Sequence, residues 1–180
     1  MDVSTLHIVT ENLAEWLSEI TQGDLRHPTP FPGRDIGDLY LHLIDRNIVI
    51  TAGLTHKATH QRVQPDPSRR SALDTPSNHY GGGFEELYRQ TARQMEKAFA
   101  SVTSAELRHR IGGVDLDAGT VYDKQISETV IHTWDLAQAM GFDYHPSPEI
   151  ARSVLTTLQE SPLDHADTAW ECALKMSGRA

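Results

Sequence analysis

Three ionisable side chains recur at helical spacing within one apolar stretch of the sequence, residues 127–141. Glu128 and His132 are four residues apart, and Asp135 follows three residues later. At 3.6 residues per turn, this spacing places all three on one face of a helix. The remaining positions are largely apolar, so we expect this helix to be buried on all sides. A buried carboxylate or imidazole is strongly destabilising without a partner, which predicts ion pairs, hydrogen bonds or a metal ion at this line.

A carboxylate and an imidazole one helical turn apart can both reach the same divalent metal ion. Two ligands do not complete such a site, so another helix has to contribute at least one more. His42 is our choice because it is the only histidine well inside another apolar helix. Two histidines and one glutamate leave a coordination position open, as in catalytic rather than structural zinc sites. We therefore predict His42, Glu128 and His132 as the metal ligands.

The same residues also permit an arrangement without metal. His42 could cap or hydrogen-bond within the core while Glu128 and His132 pair with each other. Asp135 is a candidate to orient a histidine by accepting its hydrogen bond, and binding of a substrate group or of the backbone is equally open. These alternatives have to be decided by how the helices pack.

Two other candidate groups are weaker. His56 and His60 are also four residues apart, but Lys57 stands where a metalloprotease has its glutamate, and the setting is polar, which favours a solvated pair. Cys172 has the sequence setting of a small buried hydrophobic residue rather than of a nucleophile. The sequence contains no serine hydrolase elbow, phosphate-binding loop or dinucleotide-binding glycine pattern.

Length and composition predict one globular domain over residues 1–180. No run approaches the length of a membrane span and residues 1–21 are acidic rather than basic, so we expect a cytoplasmic protein without membrane contact. A single cysteine excludes an internal disulfide and leaves nitrogen and oxygen as metal donors. A net charge of −9 disfavours nucleic acid as a partner. A small-molecule substrate is the expected partner, and a homodimer is compatible with the sequence.

The elements that must position these residues are helices, because apolar residues recur at intervals of three and four. Long helices are predicted at about residues 6–20, 35–55, 84–102 and 120–140, and shorter ones at about 150–159 and 166–176. Residues 27–33 contain three prolines and predict an extended connection, and residues 57–83 predict a long polar loop. Val114 and Leu116 could form a brief strand or lie in a loop, and no other segment has a convincing strand pattern. An all-α four-helix bundle is the predicted fold.

Several motifs resemble one family. The segment T-P-F-P-G with D-L-Y-L-H-L, within residues 29–43, and V-I-H-T-W-D-L-A-Q-A-M-G, residues 130–141, are similar to motifs of DinB-like proteins related to mycothiol-dependent maleylpyruvate isomerase. The closing M-S-G-R, residues 176–179, also fits. The similarity covers nearly the whole chain, and H-T-W-D-L-A is its most specific part.

The resemblance implies a DinB-like bundle in up-down-down-up order, with the long connection between the second and third helices and additional short C-terminal helices. In that family, a histidine of the second helix and a glutamate and histidine of the fourth bind the metal, which implies His42, Glu128 and His132 here. Zinc is the metal we expect, with nickel as the alternative. The implied function is a transferase or isomerase dependent on mycothiol or a similar low-molecular-weight thiol, and the alternative is a non-catalytic metal-binding or metal-stabilised bundle.

The sequence also departs from the family pattern. Phe31 and Arg34 replace the usual cysteine and tryptophan, and Met140 replaces a threonine, although none of these is a ligand. The isomerase has a second, C-terminal domain that contributes to its active site, whereas this sequence ends after the bundle. The resemblance therefore leaves the substrate open.

Overall fold

The computed structural model describes residues 1–55, 67–74, 83–158 and 169–179, and helices dominate it. The helices are α1 (Ser4–Ser18), α2 (Ile36–Leu54), α3 (Pro67–Asp74), α4 (Phe84–Ala100), α5 (Ala118–Ala139), α6 (Pro148–Leu158) and α7 (Ala169–Met176), with a 3₁₀ turn at Gln22–Arg26. Strands β1 (Arg108–Ile111) and β2 (Val114–Asp117) form an antiparallel hairpin. None of the helices in the described ranges is long and apolar enough to cross a membrane.

The four long helices α1, α2, α4 and α5 each run between two clusters of buried apolar side chains. The first cluster includes Leu6, Leu54, Phe99 and Val130, and the second includes Leu17, Ile36, Tyr88 and Leu136. Helices α1 and α5 begin in the first cluster and end in the second, whereas α2 and α4 run in the opposite direction. This alternation confirms the predicted all-α bundle in up-down-down-up order. Helices α6 and α7 pack on each other and extend the first cluster.

Helix α2, which carries His42, begins where the sequence predicts it to begin. The Asp35 carboxylate accepts a hydrogen bond from the Asp38 amide at 2.9 Å, and the Asp38 carboxylate accepts one from the Asp35 amide at 3.4 Å. This reciprocal capping satisfies amides that have no partner within the helix. The preceding proline-rich segment turns at Gly33, whose φ is +77° and favours glycine.

Helix α5, which carries the other candidate ligands, is fixed at both ends. The Asp117 carboxylate accepts from the Thr120 amide at 2.8 Å, and Gly141 ends the helix with a φ of +79°. Between residues 125 and 137, every side chain except Glu128 and Trp134 is buried. The expectation of a helix surrounded by the rest of the bundle is therefore confirmed.

One expectation about the connections is wrong, and another is incomplete. The predicted loop over residues 57–83 contains helix α3, which two ion pairs hold against α2: Arg69 with Asp45, and Arg70 with Asp35 at 2.6 Å. The residues around it, 56–66 and 75–82, lie outside the described ranges. The brief strand that was one of two options for Val114 and Leu116 is present as β2, and its partner β1 was not expected. Residues 112 and 113, both at positive φ, form the tight turn between the two strands.

Candidate metal centre

The structure brings together two of the three predicted ligands. His42 of α2 and His132 of α5 come from antiparallel helices, and their ring centroids lie 5.1 Å apart with the ring planes at 78°. The His132 side chain is 11% exposed, and His42 is half-buried. The two imidazoles, which come from different helices, are thus close enough to contact one ion placed between those helices.

The third predicted ligand, Glu128, is paired with an arginine. Its carboxylate lies 3.1 Å from the Nε atom of Arg46, which also donates to the Gln125 side chain at 3.3 Å. Arg46 follows His42 by one turn on α2, and Glu128 precedes His132 by one turn on α5. Because the two helices are antiparallel, the pair formed by Arg46 and Glu128 lies one helical turn away from the histidine pair.

Charge and burial keep the His42 ring neutral. Burial, followed by the nearby His132, Arg34 and Arg46, lowers the pKa of His42 to about 4. A neutral imidazole is the form that donates a lone pair to a metal ion. At neutral pH, His42 therefore has the protonation state that a ligand needs.

Asp135 lies behind His132 and is almost completely buried. Its Oδ2 atom is 3.1 Å from His132 Nδ1, and its side chain is 1% exposed. Arg179, beyond the end of α7, donates to Asp135 from Nε at 2.9 Å and from Nη2 at 2.7 Å. Burial alone would raise the pKa of Asp135, but the hydrogen bonds from Arg179 and His132 outweigh it and lower that pKa. The carboxylate is therefore ionised and accepts the hydrogen bond from His132 Nδ1.

The predicted ligands are only partly assembled in this structure. Within the described ranges, no group of three or more His, Cys, Asp or Glu side chains is close enough to hold a metal ion. The donor set nevertheless fits a divalent cation: His42 is neutral, His132 has one ring nitrogen occupied by Asp135, and the Glu128 carboxylate is one turn away on the same helix. In a three-ligand site, the Glu128 carboxylate would have to break its ion pair with Arg46 or contact both Arg46 and the metal ion.

The remaining sequence candidates lie elsewhere or outside the described ranges. Cys172 is a half-buried free thiol in α7 that packs against the first cluster. His56 and His60 fall among the residues that the structure does not describe. Cys172 therefore belongs to the packing of the first cluster.

Sequence reasoning assigned no role to three arginines beside the site. These are Arg34, Arg46 and Arg179; the guanidinium groups of Arg34 and Arg179 lie 4.6 Å and 5.4 Å from the centre of the Phe31 ring. Two signals were available in the sequence. Arg46 is one turn from His42, and Arg179 is the last residue of the M-S-G-R motif, although neither signal identifies a partner.

Comparison with known proteins agrees with the geometry of the bundle. The family model described as the mycothiol maleylpyruvate isomerase N-terminal domain matches residues 6–137. A solved structure, the crystal structure of the mycothiol-dependent maleylpyruvate isomerase, is similar with a TM-score of 0.64 and 15% sequence identity. The match covers 87% of this chain and 65% of the isomerase chain, so this chain spans less than two thirds of that protein's length. No curated protein matches the sequence.

Proposed function

The chain belongs to the mycothiol maleylpyruvate isomerase N-terminal domain family, and from this premise we propose that it binds one divalent metal ion through His42, Glu128 and His132. We further propose that it uses this ion in a transferase or isomerase reaction that depends on mycothiol or a similar low-molecular-weight thiol. Zinc is the proposed metal, with nickel as the alternative. Residues 1–180 act as a single domain in this proposal.

The observation that carries the proposal is the facing pair of histidines. His42 and His132 belong to different helices, yet their ring centroids are 5.1 Å apart where α2 approaches α5. Two imidazoles on facing helices, with a carboxylate one turn from one of them, are the donor set of open zinc sites. Glu128 completes the set when its carboxylate turns from Arg46 towards the histidines.

The protein's own residues have distinct tasks in this scheme. His42 and His132 would hold the ion, and Asp135 holds the His132 ring by its Nδ1 atom. When bound, such an ion favours the thiolate form of a low-molecular-weight thiol, which is the nucleophilic form. Arg34 and Arg46 place positive charge near His42, which favours an anionic electrophile as the substrate.

The test is thiol binding by the metal-loaded protein. Isothermal titration calorimetry with mycothiol, in two buffers of different ionisation enthalpy, measures both affinity and proton release. We expect binding with release of a proton, because a thiol has to lose its proton to act as a soft anionic ligand. As a control, His7→Ala should bind the thiol as the unmodified protein does, since His7 is an exposed histidine paired with Glu96. Equal thiol affinity after chelation would overturn the thiol-dependent reaction.

One observation favours a second candidate, a non-catalytic metal-binding or metal-stabilised bundle. The Glu128 carboxylate already has a partner in Arg46, so its charge is compensated without metal. Metal binding without any metal-dependent thiol affinity in the calorimetry would select this candidate.

A further inference from the structure

A buried arginine reaches the candidate metal centre from the end of the described chain. Arg179 and Asp135 are 44 residues apart in sequence, and both of their side chains are buried, with 8% and 1% exposed. The guanidinium meets the carboxylate through two parallel hydrogen bonds of 2.9 Å and 2.7 Å. A two-point contact of this kind fixes the plane of the carboxylate as well as its position.

The path of the backbone explains how Arg179 arrives there. Helix α7 ends with Gly178 at a φ of +77°, where the Gly178 amide donates to Lys175 O and the Arg179 amide donates to Leu174 O. These two bonds form the left-handed helix end that commonly requires glycine. The Arg179 side chain is held further by a 2.8 Å hydrogen bond from Nη1 to Ser177 O. The end of α7 therefore holds the Arg179 guanidinium in place in addition to its contact with Asp135.

The next step in the chain of contacts is His132. Its Nδ1 atom lies 3.1 Å from Asp135 Oδ2, the same oxygen that accepts from Arg179 Nη2. An ionised carboxylate only accepts hydrogen bonds, so Nδ1 carries the ring proton. In the neutral ring, the lone pair is then on Nε2, the nitrogen left for a metal ion. Outer partners that fix a histidine tautomer in this way are known to support metal affinity.

We propose that Arg179 is a positioning residue for the candidate metal centre: it locks the Asp135 carboxylate, which holds His132 as the Nδ1-protonated tautomer with Nε2 directed to the metal. The inference rests on the proposed function for the metal, but its first consequence concerns the metal-free protein. Arg179 itself touches neither metal nor substrate in this scheme. Its effect is transmitted through Asp135 alone.

The first test needs no metal. Long-range nitrogen–proton NMR spectra of the metal-free protein distinguish the two neutral histidine tautomers. We expect His132 of the unmodified chain to carry its proton on Nδ1, and Arg179→Gln to shift part of the population to the other tautomer. Predominant protonation of Nε2 in the unmodified chain would overturn the inference, and this result is available even if every variant fails to fold.

The second test is zinc affinity, measured by competition with a chromophoric chelator. Loss of a partner that orients a metal-binding histidine weakens affinity about 10-fold to 100-fold, and we expect this range for Arg179→Gln. Arg179→Lys keeps the charge but not the two-point contact, so a smaller loss is expected. Arg89→Gln is the control, because it removes a different arginine–carboxylate pair, the more exposed one with Glu11 between α1 and α4.

The outcomes separate this inference from the proposed function. Unchanged zinc affinity in Arg179→Gln, with affinity lost in His132→Ala, overturns the role of Arg179 and leaves the metal site standing. Absence of zinc binding in the unmodified protein overturns the metal site. The tautomer measurement then still tests whether Arg179 acts on His132 through Asp135. Equal losses in Arg179→Gln and Arg89→Gln would assign the effect to general stability and contradict the inference.

Discussion

Arg46 lies close enough to Glu128 and His42 for its charge to affect both. Arg46 is paired with Glu128 at 3.1 Å and contributes to lowering the pKa of His42. A guanidinium in this place would repel a cation at the proposed site, and it holds the carboxylate that is proposed as the third ligand. Arg46 is therefore expected to weaken metal binding, although it compensates Glu128 in the absence of metal.

We predict that Arg46→Gln strengthens zinc binding. A half-exposed ion pair contributes up to about 1 kcal/mol, which corresponds to about a fivefold lower dissociation constant when the competing arginine is removed. Competition with a chromophoric chelator measures this change. Arg108→Gln serves as the control because the Arg108 side chain is exposed and donates to the hairpin carbonyl of Asp115. A weaker affinity in Arg46→Gln would mean that Arg46 supports the site.

The sequence suggested His42, Glu128 and His132 as ligands and Asp135 as a neighbour of a histidine. The structure places His42 beside His132 and Asp135 against His132. Their spacing and apolar setting depend only on local sequence, and the contact between His132 and Asp135 lies within one helix turn. The pairing of Arg46 with Glu128 and the return of Arg179 to Asp135 depend on how distant segments pack. Such contacts, separated by 44 residues in the second case, leave no periodic signal.

Helix α2 is held closely against the hairpin through a glycine. A Cβ atom at Gly53 would lie 2.3 Å from Ile111 Cδ1 and 2.8 Å from the backbone oxygen of Arg110. The isoleucine side chain can move, but the carbonyl oxygen belongs to strand β1 and cannot move without disturbing the ladder with β2. Gly53 therefore sets the distance between the helix and the hairpin.

We predict that Gly53→Ala lowers the free energy of unfolding by up to about 2 kcal/mol. Alanine would add about 1 kcal/mol of helix propensity, but overpacking against a backbone atom costs about 1 to 3 kcal/mol, and we expect the second effect to dominate. Urea denaturation measures the difference. Gly119→Ala in α5 is the matched control, since its Cβ would meet other atoms only at 3.4 Å or beyond. Equal stability of Gly53→Ala and the unmodified chain would contradict the close contact.

The two elements that the sequence did not predict have weak local signals for physical reasons. Strand β1 reads R-H-R-I, in which only His109 and Ile111 are buried, so its apolar alternation is too short to recognise. Helix α3 reads P-S-R-R-S-A-L-D and is polar, and ion pairs from Arg69 and Arg70 to α2 hold it. The long helices were predictable because each crosses both apolar clusters with many periodic residues.

The bundle as a whole predicts a dependence of stability on metal. Helices α2 and α5 meet at the histidine pair, so an ion bound there would join two antiparallel helices. The unfolded chain separates these ligands, and binding to the folded state alone adds RT ln(1 + [L]/Kd) to its stability. At a thousandfold excess of metal over Kd, this amounts to about 4 kcal/mol.

We predict that a chelator lowers the melting temperature of the metal-loaded protein. For a chain of this size, a loss of several kcal/mol corresponds to a shift of roughly 10 °C. Differential scanning calorimetry before and after verified metal removal measures it. His42→Ala is the control, because its melting temperature should not respond to the chelator. An unchanged melt of the unmodified protein would contradict a site that bridges α2 and α5.

The most direct measurement is the metal content of protein purified without an affinity tag, loaded with zinc and dialysed before elemental analysis. We expect about one zinc ion per chain, loss of the ion in His42→Ala, Glu128→Ala and His132→Ala, and retention in His56→Ala and His60→Ala. The contrast follows from the apolar setting of the first three residues and the polar sequence around the last two. Equal metal loss in both sets of variants, or no bound metal in the unmodified protein, would contradict the assignment of His42, Glu128 and His132 as the ligands.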